Sequence, residues 1–141
     1  MTLIILDSSV VVKWIISENE KYLEQADKLL EKVKSGSFKC YAPELLKYEI
    51  GNVMISKQCT TSYINLAFKT IYSLPISFIT CDLRLAYHTA NISKESGITF
   101  YDALFIALAK KLKATLITDN IKHQGRYKGK EVKIISLKDY R

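Results

Sequence analysis

Histidine, cysteine, glycine and proline are all scarce in this chain, and each shortage removes a class of chemistry. The only histidines are His88, inside a helical stretch, and His123, in a basic segment, and neither belongs to a recognisable acid–base pair. The three cysteines, Cys40, Cys59 and Cys81, are odd in number and have no close pair. That excludes a disulfide framework and a zinc knuckle, fits a reducing cytoplasm, and leaves them as small apolar core residues. The five glycines form neither the Gly-x-Ser-x-Gly elbow of serine hydrolases nor a Rossmann fingerprint. Gly125-Arg126-Tyr127-Lys128-Gly129-Lys130 is one residue too short between its glycines for a P-loop, and Glu131 stands where that motif needs a hydroxyl. No apolar run approaches a membrane span, and Met1-Thr2 leads into a strand-like run without a basic leader or a small-residue cleavage site. No signal peptide is therefore expected.

What is present is the material of one compact domain. The chain has 141 residues, 48% hydrophobic and 25% charged, enough for a real core and too apolar for wholesale disorder. Its net charge of +7 is concentrated: from Lys110 onward ten basic residues face three acidic ones, so this segment carries the whole imbalance. A basic surface suits a polyanion such as RNA or DNA. Most of the basic residues are Lys rather than Arg, which favours diffuse attraction over bidentate phosphate clamping. Lys122, His123, Arg126, Lys128 and Lys130, together with Lys13, are the candidates for RNA contact. Trp14, on an apolar helix, reads as core or interface rather than as a stacking platform.

Strand-like and helical segments alternate along the chain. Strands are expected at 2–6, 38–42, 76–80, 115–118 and 132–135. Helices are expected over 8–16, 19–34, 43–57, 61–72 and 82–96 and in the apolar stretch after Asp102. Pro43 is placed to start a helix, and Gly97 to end one. Such alternation predicts an α/β fold with a parallel central sheet covered by helices on both faces, as a single domain over residues 1–141.

Four acids occupy matching places in that pattern. Asp7 closes Leu3-Ile4-Ile5-Leu6, and Asp119 closes Ala114-Thr115-Leu116-Ile117-Thr118. Asp102 opens the apolar helix Ala103 to Ala109, and Glu49 lies in a helix with Asn52 one turn later. Each has a plain structural explanation. Asp7 with Ser8 caps a helix, Thr99-x-x-Asp102 resembles a capping box, Asp119-Asn120 suits a turn, and Glu49 suits a solvated helix face. Together they are not independent, because residues at the carboxyl ends of neighbouring parallel strands converge on one crevice. Carboxylates gathered there repel one another and need protons or cations, and hard ions such as Mg²⁺ or Mn²⁺ suit oxygen ligands. A phosphatase of the haloacid-dehalogenase kind would carry a second Asp two residues after Asp7, where Ser9 stands.

The ordered set Leu6-Asp7-Ser8-Ser9, Pro43-x-x-x-x-x-Glu49-x-x-Asn52, Phe100-Tyr101-Asp102-Ala103 and Ile117-Thr118-Asp119-Asn120 resembles the PIN domain. Within that superfamily it is most similar to the VapC-type toxins of prokaryotic toxin–antitoxin pairs. The resemblance spans essentially the whole chain. It implies an endoribonuclease dependent on Mg²⁺ or Mn²⁺, a cognate VapB-like antitoxin and a homodimer. It carries Asp7, Glu49, Asp102 and Asp119 over as the acidic, metal-binding and catalytic set. Ser9 (or Ser8), Thr118, Asn52 and Asn120 fall at supporting positions. Some relatives place a further acid just after the fourth one; here Asn120 and Ile121 follow Asp119, which leaves one-metal and two-metal catalysis both open. A housekeeping RNA-processing nuclease of the same family and a non-catalytic RNA-binding module on the same fold are the alternatives.

Overall fold

The computed structural model describes residues 2–141 and places five strands in one parallel sheet, ordered β3-β2-β1-β4-β5. The strands are β1 (Thr2–Leu6), β2 (Phe38–Pro43), β3 (Ile76–Ile79), β4 (Thr115–Thr118) and β5 (Ile134–Ser136). β1 is central, pairing Ile5 with Tyr41 of β2 on one side and with Leu116 of β4 on the other. Ile4, Ile5 and Leu6 are buried without alternation, as expected of a strand covered on both faces. The chain winds outward from β1 through β2 to β3, then crosses back to β4 beside β1. This reversal puts the topological switch point between β1 and β4, where the crevice outside the strand ends opens.

Among the described residues seven α-helices complete the fold: α1 (Ser8–Val11), α2 (Leu23–Lys34), α3 (Leu45–Ser56), α4 (Thr61–Ser73), α5 (Leu83–Ser96), α6 (Phe100–Leu112) and α7 (Ile121–Gln124). Every residue from Ala103 to Ala109 of α6 is buried, because this helix packs on β1, β2 and β4 and is itself covered by α5. A helix apolar all round can only be internal. α2 is amphipathic in the ordinary way, burying Ala26, Leu29 and Val33 beside β2. Gly97 ends α5 in the left-handed conformation, as its position predicts. Among the described residues no helix is long and apolar enough to cross a membrane.

Several boundaries differ from the sequence expectation, each for a local reason. α2 starts at Leu23 rather than at residue 19, because Asn19 and Tyr22 both adopt positive φ near 60° and break the helical path. The first helix stops at Val11 and tightens into a 3₁₀ turn, Val12–Trp14. Pro43 is the last residue of β2 instead of the first of a helix, and α3 begins two residues later. The basic segment expected as loop contains α7. Cys40 is core, and burial pushes its thiol up to about 12, while Cys59 and Cys81 are half-buried and all three are free.

Candidate active site

The switch point delivers two aspartates side by side. Asp7 follows β1, and its backbone N–H donates to Ile117 O at 3.0 Å, so the sheet ladder continues to the residue before the crevice. Asp119 follows β4, the adjacent strand. Asp7 also caps α1, its Oδ2 accepting from Ser9 N at 3.1 Å and Ser9 Oγ at 2.5 Å. The capping explanation and the site explanation of Asp7 are therefore the same geometry. Thr118 Oγ1 adds a third donor to that oxygen at 3.3 Å. Ser9 Oγ in turn accepts from Asp119 N at 2.9 Å, so one hydroxyl separates the two strand-end acids.

The helices bring the other two acids. Glu49 sits mid-way along α3 and accepts from Ser8 Oγ at 2.7 Å, which fastens α3 to the start of α1. Asp102 lies in the first turn of α6, where Thr99 caps the helix by accepting from Asp102 N at 3.1 Å. The Asp102 carboxylate is left for the site, and Asn120 Nδ2 donates to it at 3.3 Å. Asn120 Oδ1 lies 2.9 Å from His123 Nδ1, so His123 is linked to Asp102 through one amide. Asn52 is exposed and makes no hydrogen bond to the four acids among the described residues.

One residue of this arrangement escaped the sequence reading. Gln124 is fully buried at the end of α7, with Nε2 donating to Asp7 Oδ1 at 3.1 Å and to the Asp102 backbone carbonyl at 3.2 Å. Both partners are acceptors, so the amide nitrogen must face them. Its Oε1 is then buried without a partner. A glutamine five residues beyond Asp119 in a lysine-rich segment carries no sequence signal for such a role. Only the four-residue helix that turns it inward reveals it.

Electrostatics divide the four acids. Burial pushes the Asp7 carboxyl above its ordinary value; hydrogen bonds from Ser9 and Gln124 pull it down, and the charge of Asp102 pushes it further up. Burial likewise raises Glu49, with the Ser8 hydroxyl opposing and the charges of Asp7 and Asp102 adding to the rise. Asp7, Glu49 and Asp102 therefore form one repelling set, and among the described residues none of them has a basic partner. Asp119 differs, because Lys13 Nζ lies 3.0 Å from its Oδ2 and 3.1 Å from Glu20 Oε1. Lys13, expected from the sequence at the RNA surface, is instead internal, its side chain 1% exposed. It is the middle residue of the 3₁₀ turn Val12–Trp14 that directly follows α1. Trp14 beside it donates to Ala26 O at 2.8 Å and packs against the core.

Carboxylates and hydroxyls make a hard donor set that suits Mg²⁺ or Mn²⁺. The uncompensated charge of Asp7, Glu49 and Asp102 fits such an ion. As they stand, no three acidic, histidine or cysteine side chains among the described residues are close enough to enclose a metal.

Lys122, His123, Arg126, Lys128 and Lys130 are all exposed along and after α7. Arg126 is partly committed, its guanidinium donating to Gly97 O at 3.2 Å.

Comparison with known proteins agrees with this architecture. No curated protein sequence matches the chain. Solved structures match over nearly its whole length. VapBC2 from Rickettsia felis, bound to a DNA fragment from its promoter, superposes with a TM-score of 0.72 at 16% identity, covering 96% of this chain and 98% of that one. DNA-bound VapBC from Salmonella typhimurium gives 0.69 at 14%, covering 97% and 99%. The sarcin–ricin-loop-cleaving toxin VapC20 from Mycobacterium tuberculosis gives 0.64 at 14%, covering 80% and 86%. At these identities the likeness establishes the fold that the chain shares with VapBC toxin–antitoxin structures. The PIN domain model matches residues 4–129, so this chain belongs to the PIN-domain family.

Proposed function

We propose that this protein is an endoribonuclease that hydrolyses RNA phosphodiester bonds with Mg²⁺ or Mn²⁺, acting as the toxin of a VapBC-type pair. The observation that carries the reading is the set of three carboxylates, Asp7, Glu49 and Asp102, at the sheet's carboxyl edge without a basic partner among the described residues. A divalent ion held there would offset charge on the scissile phosphate and lower the pKa of an attacking water. Ser9, Thr118 and Gln124 fix the orientation of the Asp7 carboxylate, so its oxygens need no rearrangement when substrate arrives. Asn120 does the same for Asp102. Glu49, whose proton is held more tightly than usual, is suited to orient or accept a proton from water at the phosphate.

The exposed basic residues from Lys122 to Lys130 supply long-range attraction for the RNA backbone. Tyr48 and Tyr101, which directly precede Glu49 and Asp102, are both well exposed and offer faces on which unpaired bases stack. The fold shared with VapBC structures supports a VapB-like antitoxin as partner; we further propose a homodimeric toxin acting in the cytoplasm.

The test is cleavage of a mixed RNA pool by purified protein with Mn²⁺, with Mg²⁺ and with chelator, alongside Asp102→Asn. Metal-dependent cutting that disappears in the variant is the expected result. RNA binding without cutting in either metal, equal in both proteins, overturns the nuclease reading in favour of a non-catalytic RNA-binding module.

A further inference from the structure

We infer that Lys13 is a built-in counter-ion for Asp119, so that the fourth acid stands outside the ligand set and the site takes a single divalent ion on Asp7, Glu49 and Asp102. The inference rests on the nuclease reading above and decides what that reading leaves open, the number of metal ions.

Three observations carry it. First, the Lys13 ammonium is almost wholly enclosed and lies 3.0 Å from Asp119 and 3.1 Å from Glu20, both of whose side chains are 27% exposed. An ammonium enclosed between two carboxylates has little reason to leave, since removal from both would strand it without water. Secondly, Glu20 is held in place by the chain around it. Its N–H donates to Ser17 O at 3.2 Å, and Asn19 and Tyr22 on either side adopt positive φ, an unusual path for non-glycine residues. Lys13 thus has a second acid supplied by a tightly shaped turn. Thirdly, Ser9 Oγ stands between the two strand-end acids, accepting from Asp119 N and donating to Asp7.

In this arrangement Lys13 does for Asp119 what a second metal ion would otherwise do. It cancels the charge and fixes the carboxylate, without exchanging with solvent. Lys13 is a positioning residue, acting through Asp119 rather than on substrate.

Counting bound Mn²⁺ by the electron paramagnetic resonance of the free ion, on the purified full chain, tests this directly. Wild type should bind one equivalent. Asp119→Asn should also bind one, with affinity within a few-fold, while Asp102→Asn should lose at least tenfold, the scale of a lost ligand or its support. Lys13→Met releases the Asp119 charge and should add a second equivalent. Should that variant not fold, Lys13→Met/Asp119→Asn removes both charges together and should bind one ion as wild type does. Two equivalents in wild type with one in Asp119→Asn would overturn the inference while leaving the nuclease reading intact. RNA cleavage that requires no metal, with no Mn²⁺ bound by wild type, would sink both.

Discussion

Asp7 and Asp119 occupy equivalent places in the sequence, each closing an apolar strand, yet the fold gives them opposite electrostatic lives. Asp7 is buried at the end of the central strand and ringed by donors that are all neutral, namely Ser9, Thr118 and Gln124. The charge of Asp102 pushes the Asp7 carboxyl further up. Asp119, one strand over, keeps partial access to water and shares an internal lysine with Glu20. Neutral donors orient a carboxylate without cancelling its charge, so Asp7 remains available to a cation. An ion pair cancels the charge and removes that availability. One sequence pattern therefore yields a carboxylate held by neutral donors on one strand and an ion-paired carboxylate on the next.

The largest effect should come from breaking the Asp7 side. Asp7→Asn is expected to lower RNA cleavage by at least about 10²-fold, the scale of removing one preorganised electrostatic group, and to abolish tight Mn²⁺ binding. Asp119→Asn should cost far less in Mn²⁺ affinity. Equal losses in the two variants, measured by single-turnover cleavage and metal titration, would erase the difference between the two acids.

Next in size is the loss of folding stability in Lys13→Met, about 3 kcal/mol, at the low end for breaking a buried pair because both carboxylates keep some water. Urea denaturation of the metal-free protein measures it. A change under about 0.5 kcal/mol would class the pair with ordinary surface salt bridges.

Gln124→Leu keeps the bulk of the side chain but removes the amide that spans Asp7 and the Asp102 carbonyl. Mn²⁺ affinity and cleavage should fall about 10- to 100-fold, as for other residues that orient metal ligands. The loss should exceed that in Lys122→Ala, which removes one exposed charge. Lys122→Ala should weaken RNA binding evenly across sequences and reduce the salt slope by about 1.

The smallest expected effect is a pH dependence of stability. Asp7 and Glu49 are carboxyls raised by burial, so the folded state holds their protons more tightly than the unfolded state does. Their contribution to stability is complete below the ordinary carboxylate range, near 4, and is lost as pH rises through the raised values. From these two groups the metal-free protein should lose stability between mildly acidic and neutral pH. Saturating Mn²⁺, which binds the deprotonated forms, should remove that loss. Melting curves across this range with and without Mn²⁺ give the answer, and Asp7→Asn should flatten the metal-free profile.

These contrasts mark how far the linear chain can be read. The α/β class, the sheet and the positions of its strands follow from hydrophobic periodicity and the Gly and Pro stops, because burial on one or both faces forces an apolar pattern that survives in the sequence. The acids were legible because parallel strands end at a common edge, so a carboxylate after a hydrophobic run has few places to go. α7 was missed: four residues are too few for a period to show. Gln124 was missed with it, and its inward turn depends on the Asn120 and Ile121 carbonyls that bond to Gln124 N and Gly125 N. Lys13 read as a surface cation because a lysine's usual place is in water.

The sequence by itself determined one domain with a parallel sheet, four acids at its carboxyl edge, and a C-terminal excess of positive charge. Those properties are local or periodic, and each residue carries its share of them. Which acid meets a cation was decided only by tertiary structure. Pairing depends on a few ångströms between side chains far apart in the chain, and on how much water the fold leaves around them. Lys13 and Asp119 lie on opposite arms of the switch point, and nothing in either neighbourhood announces the other.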